Sequence, residues 1–177
     1  MRRELVVLLP AYNEEDNVEK MIQTWLKGVE KVQERFGLYL RIVVVNDGSS
    51  DNTRTIAEQI AGDNKRVQVV NHEKNKGLGE AVKTGFSYVV NNCPDAVFAC
   101  LMDCDNTQHP KYVMSMLKKI GMDKDYVDSK ELKGDVVIAS RYEKGAKVKG
   151  VAKYRLLTSE GARYVYGGLL HVQGVKD

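Results

Sequence analysis

Four short runs of this chain are almost wholly apolar, and segments with helical periodicity separate them. The runs are Leu5–Leu9, Leu40–Val45, Val67–Val70 and Ala96–Met102. Strands without a polar face are stable only when both faces are covered. The alternation therefore predicts an α/β fold, a mostly parallel sheet with helices on both sides. Pro10 is expected to stop the first strand, and Val136–Ala139 reads as a fifth.

The intervening segments support this order. Val18, Met21, Ile22, Trp25, Leu26, Val29 and Val32 recur at helical spacing and predict one long amphipathic helix, with Trp25 on its buried stripe. Glu14, Glu15 and Asp16 stand at its start, where the helix dipole favours negative charge. A second helix carries Ile56 and Ile60. A third opens at the Asn75-Lys76-Gly77-Leu78-Gly79 turn and should bury Val82, Phe86, Val89 and Val90 on one face. A fourth begins near Pro110, a favoured first-turn residue.

With 177 residues, 43% hydrophobic and 29% charged, the composition is that of an ordinary globular chain and excludes collagen, coiled coil and disordered tail. No apolar run reaches the roughly 18–20 residues of a membrane helix, and Met1-Arg2-Arg3 leads into a strand-like run unlike a signal peptide. The polar stretch 121–134 reads as a surface connection. Cys93, Cys100 and Cys104 lack zinc-site spacing and do not suggest a disulfide framework, so a reducing, cytoplasmic setting is expected. His72, His109 and His171 show no metal-binding spacing.

The net charge of +3 is unevenly spread. Residues 141–155 hold Arg141, Lys144, Lys147, Lys149, Lys153 and Arg155 against Glu143 alone, while the rest of the chain is slightly acidic. Such a cluster is either a solvated loop or a surface for phosphate groups or an anionic membrane.

Ligands of open α/β sheets bind beyond the carboxyl ends of the strands, where strand order reverses. The unusual residues of this chain fall there: Pro10-Ala11-Tyr12-Asn13-Glu14, Asn46-Asp47-Gly48-Ser49-Ser50-Asp51 and Asp103-Cys104-Asp105-Asn106-Thr107-Gln108. Asp103 and Asp105, one residue apart after a buried strand, are oxygen donors suited to Mg²⁺ or Mn²⁺, with water and substrate phosphate completing the sphere. The same residues spell the D-x-D-x-T of haloacid-dehalogenase phosphatases, but no later acidic pair completes that site. Gln108 and Met114 exclude an EF-hand loop, and Gly77-Leu78-Gly79 lacks the third glycine of a dinucleotide fingerprint.

As an ordered set, these motifs resemble family 2 glycosyltransferases of the GT-A fold, most of all the polyprenyl-phosphate mannose and glucose synthases. The carrying residues are Leu8–Glu14, Val45–Thr53, Asn75–Gly79 and Met102–Asp105, followed by Ala139-Ser140-Arg141-Tyr142 and Arg155–Ala162. The resemblance implies a single catalytic domain over 1–177 that ends before its acceptor side is complete. It further implies transfer of a hexose from a GDP- or UDP-sugar to an acceptor, a polyprenyl phosphate first, by metal-assisted inverting displacement. A saccharide hydroxyl acceptor, or an inactive nucleotide-sugar-binding fragment, are the alternatives.

By the same resemblance, Pro10, Ala11, Tyr12, Glu14, Asn46, Asp47, Gly77, Gly79, Asp103 and Ser159 would meet the nucleotide sugar. Asp103, Asp105 and Gln108 would hold Mg²⁺ or Mn²⁺, and Asp105, Arg141 and Arg155 would serve catalysis. Asn46 stands where many relatives carry Asp, and the spacing of Gln108 differs from the commoner D-x-D-x-Q form. The implied partners are a nucleotide sugar and a lipid phosphate at the cytoplasmic face of a membrane. No nucleic-acid partner is expected, and the sequence carries no signal of oligomeric state.

Overall fold

The computed structural model describes residues 2–105, 109–122 and 132–139. The chain divides into two compact units, Met1–Asp135 and Val136–Asp177, and the elements below belong to the first. They run β1 (Glu4–Ala11), α1 (Val18–Leu26), α2 (Val29–Phe36), β2 (Tyr39–Asn46), α3 (Thr53–Asp63), β3 (Val67–Asn71), α4 (Leu78–Asn92), β4 (Ala96–Leu101) and α5 (Lys111–Lys119). The expected α/β class is what forms: a parallel sheet in the order β3-β2-β1-β4.

Topology distributes the helices. The chain steps from β1 to β2 to β3 in one direction, then crosses back to place β4 on the other side of β1. Right-handed crossovers put the helices of the first two steps on one face and α4 on the other. On the α4 face, Val6, Leu8, Val43 and Val45 pack against Ala81, Val89 and Cys93. The opposite face presents Leu5, Val7, Leu9, Ile42 and Val44, all fully buried, on the side of α1, α2 and α3. At about 25 cal/mol per Å² of apolar surface removed from water, this two-sided burial is the main stabilising contribution.

Four expectations are corrected. Pro10 does not stop β1; it lies inside it, opposite Val45. The Leu8 carbonyl accepts from the Met102 amide on the β4 side, and the Ala11 carbonyl from Asp47 on the β2 side. Pro10 therefore turns its missing N–H toward β4, so the β1–β4 ladder ends at Leu8↔Leu101, where proline cannot donate the next bond, while pairing with β2 runs on to Ala11↔Asn46. The single long helix is two, α1 and α2, separated at Lys27-Gly28, where the Gly28 amide bonds the Trp25 carbonyl and the helix closes.

On α4, Phe86 and Val90 are exposed. The buried positions are Ala81, Gly85 and Val89, because the sheet admits only small side chains at so short a distance. Finally, Val136–Ala139 forms no strand; Val136 and Ile138 are each 76% exposed, and among the described residues no strand pairs with the run. The 121–134 stretch lies largely outside the described residues.

Beneath the C-terminal end of α4, Glu4 pairs with two arginines, Arg2 through a longer 3.7 Å contact and Arg41 closely. The Arg41 guanidinium donates to both oxygens of Glu4, Nε to Oε2 at 2.8 Å and Nη2 to Oε1 at 3.0 Å. Glu4 is 3% exposed and Arg41 28%. The bidentate bond raises the Arg41 pKa against the opposing effect of burial.

Two predictions follow from this packing. A Cβ on Gly85 would lie 3.3 Å from both δ-methyls of Leu8 and 3.4 Å from Val45 Cγ2. Gly85→Leu should therefore lower unfolding free energy in urea by about 1–3 kcal/mol through overpacking, while Gly85→Ala stays near wild type as helix propensity offsets the tight contact. Arg41→Met leaves a buried carboxylate with only the longer Arg2 contact and should cost about 2–4 kcal/mol, whereas Glu4→Gln, which leaves a partly solvated guanidinium, should cost clearly less. Equal losses in the two variants would refute this asymmetry.

Candidate functional site

Order reverses between β1 and β4, so the crevice of this sheet opens at their carboxyl ends. The chain leaves β1 at Ala11 and turns through exposed Tyr12 and through Asn13, which adopts φ 54°. It leaves β4 through Met102 into Asp103-Cys104-Asp105. Cys104 turns inward, and the two carboxylates on either side stay exposed. Burial pushes the Cys104 thiol up to about 12, and the negative charges of Glu14, Asp105 and Asp103 add to that effect. Glu14 follows β1 and the Asp103–Asp105 pair follows β4, so the parallel pairing of these strands puts all three acids at the same end of the sheet.

The loops after β1 and β2 are bonded to each other. Asn13 N–H donates to Ser49 Oγ (3.0 Å), and Asn13 Oδ1 accepts from the Ser50 amide (2.9 Å). The Glu14 amide donates to Thr53 Oγ1 (2.7 Å), and the Glu15 amide to Asp51 Oδ2 (3.1 Å). Glu15 Oε2 accepts from both the Asn52 amide (3.0 Å) and its side chain (2.8 Å). Asp51 Oδ1 meanwhile accepts from the Thr53 amide and hydroxyl, opening α3. Burial alone would raise the Asp51 carboxyl. The Thr53 hydroxyl and the Thr53 and Glu15 amides outweigh it and hold the carboxyl below its ordinary value.

A second assembly joins β2 to the start of α4. Asp47 Oδ1 accepts from the Lys76 amide (2.9 Å) and lies 2.6 Å from His72 Nδ1; Oδ2 accepts from the Gly77 amide (2.8 Å). Burial pushes the Asp47 carboxyl up, but the His72 bond, the two amides and the His72 charge prevail and lower it. Gly48, at φ +66°, lets the two backbones meet: a Cβ there would fall 2.3 Å from the Lys74 carbonyl carbon. Asn46 donates to Asn71 Oδ1 (2.9 Å) and accepts from the Ser49 amide (3.2 Å).

Of the residues named from the sequence, Pro10, Ala11, Tyr12, Glu14, Asn46, Asp47, Gly77, Gly79, Asp103 and Asp105 all fall on this carboxyl-end rim. Gln108, Arg141, Arg155 and Ser159 lie outside the described residues. Asn46 and Asp47 are only 2% and 3% exposed, and their side chains bond within the protein, a geometry that holds loops in place instead of reaching outward. Asn13, Ser49, Asp51 and Thr53 stood inside the motifs and Glu15 at the helix start, but neither they nor His72 were given a part in the site. The caps and turns around Asp51 carried a visible signal, whereas His72 was weighed only for metal spacing.

Among the described residues no three His, Cys, Asp or Glu side chains converge as a metal cluster. A divalent ion fits the rim in another way, through two hard carboxylate donors on one loop, with water and ligand phosphates completing the sphere. All three cysteines are free thiols.

Comparison with known proteins accords with this geometry. The chain is 34% identical over 171 residues to a protein of Pyrococcus furiosus named dolichol-phosphate mannosyltransferase, covering 97% of this chain and 42% of that one. The chain therefore spans less than half the length of that relative. Two solved structures are similar in part. A mannosyltransferase from Pyrobaculum calidifontis in complex with GDP-Man and Mn²⁺ has a TM-score of 0.44 and 19% identity, over 59% of this chain and 28% of that one. Glucosyl-3-phosphoglycerate synthase from Mycobacterium tuberculosis, with Mn²⁺ and UDP, has a TM-score of 0.45 and 26% identity, over 66% and 39%. The pattern of glycosyl transferase family 2 matches residues 6–149, most of the chain, and to that family the chain belongs.

Proposed function

We propose that this chain is the donor-binding part of a glycosyltransferase that moves a hexose from a GDP- or UDP-sugar to a polyprenyl phosphate. The observation that carries the reading is the β1/β4 crevice, with exposed Tyr12 on one lip and the exposed carboxylates of Asp103 and Asp105 on the other. An aromatic ring offers a stacking surface for a nucleobase. Pro10, Ala11 and Glu14 complete the β1 lip. Gly77 and Gly79 bring the N-terminus of α4 to the same rim, where amides and helix dipole favour phosphate. Asn46 and Asp47 act on the donor through the loops they hold.

Asp103 and Asp105 are the residues that would hold Mg²⁺ or Mn²⁺, with Gln108 as a third ligand in this reading. When bound, the ion neutralises the negative charge of the departing nucleoside diphosphate. The role of Asp105 in catalysis is to hold that ion. Arg141, Arg155 and Ser159 are assigned to the phosphates of donor and acceptor, since guanidinium forks match phosphate oxygens in pairs. A phosphate monoester is already mostly dianionic at neutral pH, so this acceptor attacks the anomeric carbon, with inversion, without a base to remove a proton.

The name of the Pyrococcus furiosus relative supports a lipid-phosphate acceptor. Among the described residues no helix is long and apolar enough to cross a membrane. In this reading the basic 141–155 segment meets the anionic lipid surface peripherally, on the cytoplasmic side.

The test is thermal unfolding with a panel of GDP- and UDP-sugars, each with Mn²⁺ and with chelator. A ligand at a hundred times its dissociation constant should add about 2.7 kcal/mol, readable as a rise of several degrees in Tm. Chelator should abolish that rise, and Asp103→Ala and Asp105→Ala should lose it, each measured against its own unliganded Tm. A chain that no nucleotide sugar stabilises does not bind a donor. Transfer of labelled hexose to a polyprenyl phosphate, compared with an oligosaccharide, then identifies the acceptor.

A further inference from the structure

His72 stands just past β3, and its amide bonds the Asn46 carbonyl, extending the ladder by one residue. It is 7% exposed, yet the position is not simply apolar core, because both ring nitrogens are engaged. Nδ1 lies 2.6 Å from Asp47 Oδ1, and Nε2 lies 2.9 Å from Thr84 Oγ1 on α4. The carboxylate only accepts, so Nδ1 carries a proton. The Thr84 hydroxyl can donate to Nε2 or accept from it, so the network closes with the ring neutral or charged. Asp47 in turn gathers the Lys76 and Gly77 amides. The ring is thus the one described side chain that fixes the Asp47 carboxylate, and it is itself fixed by α4, the helix that the Lys76–Gly77 segment opens.

We infer that His72 is a positioning residue: by locking the Asp47 carboxylate it holds the Lys76–Gly77 backbone in the shape that admits the donor phosphates. The functional half of this statement rests on the nucleotide-sugar reading above; the structural half does not. Without the ring, Asp47 Oδ1 is free to rotate, and the two amides exchange a fixed buried acceptor for solvent. The loop then samples other shapes, and donor binding is weakened by the population that must be recovered.

Two substitutions separate the ends of the ring. The amide of Asn superposes on the Nδ1 side, and that of Gln reaches the Nε2 side. His72→Asn therefore keeps a donor for Asp47 and loses Thr84, and His72→Gln does the reverse. Amide hydrogen exchange at Lys76 and Gly77 should stay within about threefold of wild type in His72→Asn and accelerate about tenfold or more in His72→Gln, the scale of one lost hydrogen bond. The dissociation constants of GDP and UDP with Mn²⁺ should follow the same order.

Equal effects in the two variants, or none in either, overturn the inference, since loss of packing alone would not distinguish them. If His72→Gln fails to fold, Thr84→Val decides. Faster exchange at Lys76 and Gly77 with unchanged exchange in β1 supports the inference, and unchanged exchange at both amides overturns it. A wild-type chain that binds neither nucleotide while the exchange pattern holds removes the functional reading and leaves the positioning role. Nucleotide binding without the exchange pattern does the opposite.

Discussion

Everything in this unit depends on the burial of β1. It is the central strand, with neighbours on both edges and helices over both faces, and Leu5 through Leu9 are each no more than 1% exposed. A strand so enclosed has no room for a polar side chain along its length. Polar chemistry is displaced to its ends, and the two ends differ. At the amino end a buried acid, Glu4, is neutralised by Arg41 and, at longer range, by Arg2. At the carboxyl end the neighbouring strand order opens a crevice, and the loops carry nearly every unusual residue of the chain. The concentration of candidate site residues on one rim is thus a consequence of the same apolar pattern that builds the sheet.

The rim is organised as two bonded assemblies. One joins the loops after β1 and β2 through Asn13, Glu15, Ser49, Asp51 and Thr53. The other joins β2 to the start of α4 through Asp47 and His72. Both use carboxylates and amides that accept or donate to main chain, which orders irregular backbone without a hydrophobic core of its own. The exposed groups, Tyr12, Asp103 and Asp105, stand on this frame. In the proposed reading they are the groups that meet the donor, while other residues hold the loops.

Much of this was legible in the sequence, for physical reasons that can be named. Wholly apolar runs separated by helices permit few arrangements, so the parallel α/β sheet and the location of the crevice followed from pattern alone. What pattern could not show was distance. Phe86 and Val90 lie on a helix face that periodicity marks as apolar, but how closely α4 approaches Leu8 and Val45 decides that Gly85 is the buried residue. Pro10 reads as a strand terminator until the reach of β4 is known. The motif at Asp47 gives no sign that the amides of a loop nearly thirty residues away are its partners. His72 has no local signal at all, since its role is created by two residues that only the fold brings to it.

The contact at Gly48 has a consequence for how such a site can diversify. There the main chain of one loop rests on the main chain at Lys74 and Asn75, with no side chain between them. The separation of the two loops is set by peptide geometry, and side-chain substitution cannot adjust it. In the proposed reading, variation in the ligand accepted falls to groups that project beyond this contact, such as Tyr12, Lys74 and Asn75, all of them exposed. The spacing of the two loops is carried by the backbone, while the chemistry they present is written on the surface around it.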